Sequence, residues 1–357
     1  MIFLSDGVKP LIKKASMIPL NDTVWQTESW QQQMRGMIRD PEQLFQRLQL
    51  DPSEQPDIAA AMRQFPLRAP EAFVAKMAIG DWRDPLLLQV LPLATESQEQ
   101  PGFINDPLDE INANPAPGLI HKYHGRVLLI TSPSCAIHCR YCFRRNFPYD
   151  DNNPSQRDWQ KTLGYIQERP DISEVILSGG DPLSAPDDYL EKLIHKIAAI
   201  PHVKTLRIHT RLPLVLPARI TPELTKVLSN HRLKTVMVIH CNHANEIDTH
   251  TADALGTLQK ADITLLNQSV LLKEINDNVD TLVNLSERLF DAKVMPYYLH
   301  LLDKVRGAAH FDVTEVKAQA LMEGILTKLP GYLVPRLVLE DPKASSKRPL
   351  ALQWIDA

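Results

Sequence analysis

The sequence predicts an α/β protein built on an incomplete (βα)6 parallel barrel, with an N-terminal helical region and a C-terminal extension. Three observations carry this prediction. Six β-rich runs alternate with longer amphipathic stretches from residue 127 onward, and parallel strands need crossover helices between them. Six such units exceed one mononucleotide-binding half and fall short of a closed eight-stranded barrel. Polar residues collect at the ends of all six runs, where parallel α/β barrels assemble their active sites.

Taken in order, residues 1–100 read as helical segments broken by prolines, such as WQTESWQQQMRGMI and PEQLFQRLQL. The stretch ESQEQPGFINDPLDEINANPAPG is polar and rich in Pro, Asn and Asp, so residues 101–120 are expected to form a linker or arm. The barrel core is expected over 121–330. Its strands are VLLITS (127–132), EVILSG (174–179), TLRIHT (205–210), KTVMVIH (234–240), ITLLNQSVLL (263–272) and KVMPYYLHLL (293–302). Helix-like stretches such as DDYLEKLIHKIAAI and TEVKAQALMEGILTKL lie between or after them. A last strand-like run, YLVPRLVLE (332–340), opens a C-terminal segment spanning 331–357.

The strand ends carry the chemistry. The cysteine loop SPSCAIHCRYCFRRNF follows the first strand and SGGDPL ends the second. HTRLP ends the third, HCNHANE the fourth, Asn267 and Gln268 interrupt the fifth, and Asp303 closes the sixth.

Composition narrows the function classes. The 357 residues are 44% hydrophobic and 23% charged, the profile of an ordinary globular protein. A net charge of -4 gives no basic field for nucleic acid, and no apolar run approaches the roughly 20 residues of a membrane helix. The start, MIFLSDGVKPLIKKAS, lacks an apolar core with a cleavage site, so a cytoplasmic location with reduced thiols is expected. Clustered cysteines there bind metal or do chemistry more often than they pair.

Cys135, Cys139 and Cys142 form C-x3-C-x2-C. Three thiolates on one loop suit zinc or an iron–sulfur cluster. A structural zinc wants a fourth ligand, for which His138 is at hand; a [4Fe–4S] cluster on three cysteines keeps one iron open to a small molecule. Cys241, far along the chain, reads as a small buried cysteine.

With Tyr141 before the last cysteine and Ser178-Gly179-Gly180-Asp181 on the second strand, the chain resembles the radical S-adenosylmethionine enzymes. That resemblance implies that the open iron chelates S-adenosylmethionine. An external electron donor then drives its cleavage to a radical that abstracts hydrogen from substrate. It places Ser178, Gly179, Gly180 and Asp181 against the methionine amino group, the glycines admitting close backbone approach. His240 and Gln268 are placed beside the same cofactor.

From residue 80 onward the chain is similar to the lysine 2,3-aminomutases, through HKYHGRVLLITSPSCAIHCRYCFRR, LPLVLPARITPEL, NQSVLL and PGYLVPRLVLEDPKASSK. This implies pyridoxal phosphate held by a lysine in the C-terminal segment, Lys347 in preference to Lys343. Lys343, Ala344, Ser345 and Ser346 stand where the family has glycines, so the loop is stiffer. Lys122 and Tyr123 match phosphate-binding positions, with lysine in place of the family's arginine. Arg144 matches the arginine that takes the substrate carboxylate in a forked pair, and Arg145 reads as structural. Asp303 and Glu340 match two acids that hold the distant ammonium of L-lysine, Glu340 standing for the family's aspartate.

The FRRNFPY and DPLLLQVLP segments resemble most the bacterial subgroup that makes (R)-β-lysine, which a separate ligase attaches to elongation factor P. Subunit zinc in the longer relatives uses cysteines beyond Cys241, absent here, so a homo-oligomeric assembly stays open. Three other readings compete, one of them an electron-transfer protein, which would not need Lys347 or the acidic pair. An aminomutase for an amino acid such as glutamate would want cations at 303 and 340. A zinc-bearing binding module would explain CRYCFRR and leave SGGD and the strand-end clusters without a role.

Overall fold

The computed structural model describes residues 24–152 and 156–351, so the opening MIFLSDGVKPLIKKAS and the last six residues lie outside the described residues. One nine-stranded sheet runs in chain order: β1 (Leu119–Tyr123), β2 (Arg126–Ser132), β3 (Glu174–Gly179), β4 (Thr205–Thr210), β5 (Lys234–Ile239), β6 (Thr264–Val270), β7 (Met295–His300), β8 (Arg336–Leu339) and β9 (Arg348–Pro349). Neighbours from β2 to β8 pair in parallel. The edge pairs β1–β2 and β8–β9 are antiparallel.

The core thus has seven parallel strands where the periodicity suggested six, because the run after the sixth helix joins the sheet as β8. Two further additions went unread. Residues 119–123, across the expected boundary between arm and core, form β1 as a hairpin with β2. The two residues of β9 are too few for any periodic signal, yet their pairing of Leu339 with Arg348 turns the C-terminal segment back along β8.

The sheet curls far enough for its edges to meet. Lys122 and Tyr123 on β1 both reach Glu340, the residue after β8. Crossover helices cover the outside: α5 (Gln156–Gln167), α6 (Asp187–Ala198), α7 (Leu212–Val215), α8 (Pro222–Ser229), α9 (Thr249–Lys260), α10 (Val279–Asp291) and α11 (Glu315–Leu326). Asp248, Asn278 and Thr314 cap α9, α10 and α11 by accepting from backbone N–H groups of the first turn. Strand period two separates the faces: on β4, Leu206 and Ile208 join the core while Arg207 and His209 face the interior cavity.

The N-terminal helices α1 (Trp30–Arg35), α2 (Pro41–Arg47), α3 (Ala59–Gln64) and α4 (Glu71–Val74) share this core. Leu44, Phe45 and Phe73 belong to the same buried cluster as Leu177, Leu206 and Ile239. Buried Lys76 stitches the two regions: Nζ donates to the carbonyls of Leu214 (2.7 Å) and Glu246 (2.9 Å) and to Thr251 Oγ1 (2.7 Å), and it faces Asp248. Among the described residues no helix is long and apolar enough to cross a membrane.

Candidate active site

A cavity of about 500 Å³ opens at the carboxyl ends of the strands, and the residues expected to hold cluster, cofactors and substrate line it, with Asn267 and the rival Lys343 outside the lining. The cysteine loop is pinned from below. Arg140, fully buried, donates to Glu96 through Nε (2.8 Å) and Nη2 (2.6 Å), and Arg145 donates to the same carboxylate. Arg68 Nη1 holds the Cys135 carbonyl at 3.0 Å. These contacts turn Cys135, Cys139 and Cys142 toward the cavity as free thiols.

Burial and the neighbouring thiols push Cys142 up to about 11 and Cys135 well above its ordinary value. Three thiolates together therefore need a cationic group among them. Cys241 stays outside the cavity lining, its Sγ donating to the His243 carbonyl at 3.4 Å. His138 is anchored at Nδ1 on the Pro66 carbonyl (2.8 Å) and stacks on Phe65. Three thiols with an open side suit a larger cluster.

The glycines of SGGD line the cavity and also pack tightly on the cysteine loop. Gly179 has φ +115°, and a Cβ there would lie 2.8 Å from the Ser132 carbonyl oxygen. A Cβ on Gly180 would lie 2.6 Å from the Ser134 oxygen. The motif thus presses against the backbone entering the cysteine loop, sealed by Gly180 N–H to Ser132 O (2.7 Å) and Asp181 N–H to Ser134 O (2.8 Å). Asp181 is saturated by Thr210 Oγ1 and by the N–H groups of Leu183 and Arg211. Burial raises its carboxyl to about 6, despite these donors. It ties β3 to β4. Ser178 Oγ accepts from Arg144 Nη1 at 3.0 Å.

Arg144 is not the free fork that the sequence suggested. Nε and Nη2 are clamped side-on by Glu110 at 2.8 and 2.7 Å, and Nη1 also donates to the Gly179 carbonyl. Burial disfavours its charge, but Glu110 outweighs that and holds the guanidinium above its ordinary value. Gln268 Nε2 donates to His240 Nε2 at 2.7 Å, and burial lowers His240 to about 3, so it is neutral.

At the other end, β9 sets Lys347 opposite Glu340, and the two form an ion pair. Glu340 also accepts from Tyr123 and from Lys122 Nζ (3.4 Å). Burial opposes its charge, but Lys347, Tyr123 and Lys122 prevail and lower its carboxyl. The second expected ammonium-binding acid is therefore engaged by three donors in this arrangement. Asp303 differs: its buried Oδ1 has no partner, and burial lifts its carboxyl to about 7.

Sequence reasoning missed Glu110, Arg126 and Arg211. Glu110 sits in the presumed arm and Arg211 in the quoted HTRLP turn, and a lone charge in either place carries no spacing signal.

Comparison with known proteins agrees with this site. The Radical SAM superfamily profile matches residues 129–284. The L-lysine 2,3-aminomutase of Escherichia coli (strain K12) is 48% identical over 327 residues, covering 91% of this chain and 95% of that protein. The enzyme of that name from Haemophilus influenzae is 45% identical, covering 91% and 96%. The one from Clostridium subterminale is 35% identical, covering 94% and 80%. With three cavity-facing thiols on the loop after β2 and SGGD locked against it, this chain belongs to the lysine 2,3-aminomutase family of radical S-adenosylmethionine enzymes.

Proposed function

We propose that the chain moves the α-amino group of L-lysine to C3, giving (R)-β-lysine, with pyridoxal phosphate bound through Lys347. The observation that carries this reading is the distribution of charge in one cavity: Lys347 at one wall, Asp303 with a buried, unpartnered Oδ1, and the guanidinium of Arg144 on the cysteine loop. Family membership supplies the [4Fe–4S] cluster and S-adenosylmethionine, and the three-thiol set fits the cluster. When bound, these groups supply hydrogen abstraction, and the pyridoxal ring supplies delocalisation of the unpaired electron.

The chain's own residues do the rest. Lys347 Nζ offers the amine for the cofactor aldehyde, and Lys122, Tyr123 and Arg126 border a place for its phosphate. Lysine at 122 binds phosphate as a point charge, without the guanidinium fork. Lys122 and Tyr123, which here donate to Glu340, would be the residues to hold that phosphate, and Glu340 would then share the ammonium-binding role with Asp303. Asp303 gains its counter-charge from the ε-ammonium of lysine, and Arg144 orients the α-carboxylate. Neutral His240, fixed by Gln268, offers polarity without a competing charge.

We further propose that the product feeds a ligase that attaches it to elongation factor P, on the resemblance of the FRRNFPY and DPLLLQVLP segments. Anaerobic incubation of the reconstituted enzyme with S-adenosylmethionine, pyridoxal phosphate, dithionite and either L-lysine or L-glutamate tests the substrate. β-Lysine from lysine, with no β-glutamate, is the expected result; the reverse would overturn the assignment.

A further inference from the structure

We propose that Arg211 sets the reduction potential of the iron–sulfur cluster by donating a charged N–H to the sulfur of Cys139, an inference that rests on Cys135, Cys139 and Cys142 holding that cluster. Arg211 follows β4 directly, and its backbone N–H is fixed by Asp181 at 2.7 Å. Its guanidinium Nη1 points at Cys139 Sγ, 2.8 Å away. Nη2 donates to Gln89 Oε1 (2.5 Å) and Glu246 Oε2 (3.0 Å), and Nε is buried without a partner. The plane lies near the rings of Phe73 and Tyr141, at 5.3 and 5.7 Å, so little water screens the charge.

Among the described residues no charged side chain donates to the sulfur of Cys135 or Cys142. Arg68 faces Cys135, and Arg144 and Arg145 face Cys142, as charges acting through space, whereas Arg211 adds a direct hydrogen bond to a ligating sulfur. Reduction adds negative charge to the cluster, and a hydrogen bond to a ligating sulfur together with a nearby cation stabilises that extra charge. In a low-dielectric site the interaction is strong. Glu246 opposes it: its carboxylate pairs with Arg211 while accepting from the Asn242 and His243 N–H groups. Arg211 and Glu246 thus form two levers of opposite sign on one potential, with Gln89 and Asn242 holding the pair in register.

The test is a redox titration, followed by electron paramagnetic resonance, of protein reconstituted anaerobically with iron and sulfide. At equal iron and sulfide content, Arg211→Gln is expected to titrate at a more negative potential than wild type. Arg211→Lys should recover part of the shift, and Glu246→Gln should move the potential upward. A fully loaded Arg211→Gln protein at the wild-type potential overturns the proposal. Should that variant fail to fold, an unchanged or lowered potential in Glu246→Gln overturns it equally. A wild-type chain that takes up no cluster contradicts the cysteine assignment itself, and is told apart by iron content alone.

Discussion

Asp303 is the residue whose environment is most at odds with its chemistry. A buried carboxyl lifted to about 7 binds a proton that the unfolded chain releases near the ordinary carboxylate value. The folded state therefore holds the extra proton between roughly pH 4 and 7, so the group's contribution to stability falls as pH rises through that window. Asp303→Asn should melt higher than wild type at pH 8, by on the order of 2–4 kcal/mol in unfolding free energy, and the gap should close near pH 4. The same ionisation predicts function. L-Lysine keeps its ε-ammonium across this range, so its affinity should rise between about pH 6 and 8 as Asp303 ionises. Isothermal titration across that range checks it, and the rise should vanish in Asp303→Asn. Glu110 gives a second case. Glu110→Ala strands a buried guanidinium, so a loss of about 3–5 kcal/mol is expected in chemical denaturation, far above that of a surface ion pair.

At the scale of elements, the contact between SGGD and the cysteine loop decides whether the loop is formed. Gly180→Ala forces a methyl against the Ser134 carbonyl, a backbone atom that cannot swing aside. Iron uptake on reconstitution should drop well below wild type even where circular dichroism stays unchanged. Lys76 plays the matching role between the N-terminal helices and the barrel. Lys76→Met leaves three acceptors and Asp248 without their donor and should cost roughly 2–4 kcal/mol in urea denaturation. What was legible follows from how each feature is encoded. β3 and β4 carry their limits in a local period of two, and C-x3-C-x2-C carries its chemistry in spacing. Glu110 and Arg211 do not, because each is a single charged residue brought to the cavity by a different element. The seventh parallel strand and the short β9 depend likewise on tertiary pairing, which no local period records.

For the whole molecule, the sheet's curl is what makes one cavity of many strand ends. It brings Lys122 and Tyr123 of β1 to Glu340 and Lys347 beyond β8, more than two hundred residues away along the chain. The cysteine loop and the lysine wall are thereby held around one volume of about 500 Å³, the condition for a hydrogen-abstracting cofactor and an amine-binding cofactor to share a substrate. The most direct test of that arrangement is chiral mass spectrometry of product from anaerobically loaded wild type, Lys347→Ala and Cys139→Ala, each given L-lysine, both soluble cofactors and a strong reductant. (R)-β-Lysine from wild type, with none from either variant, is the result expected if both walls act on one substrate. Wild type with a full cluster that forms 5′-deoxyadenosine and no β-lysine, or β-lysine from Lys347→Ala, would contradict it.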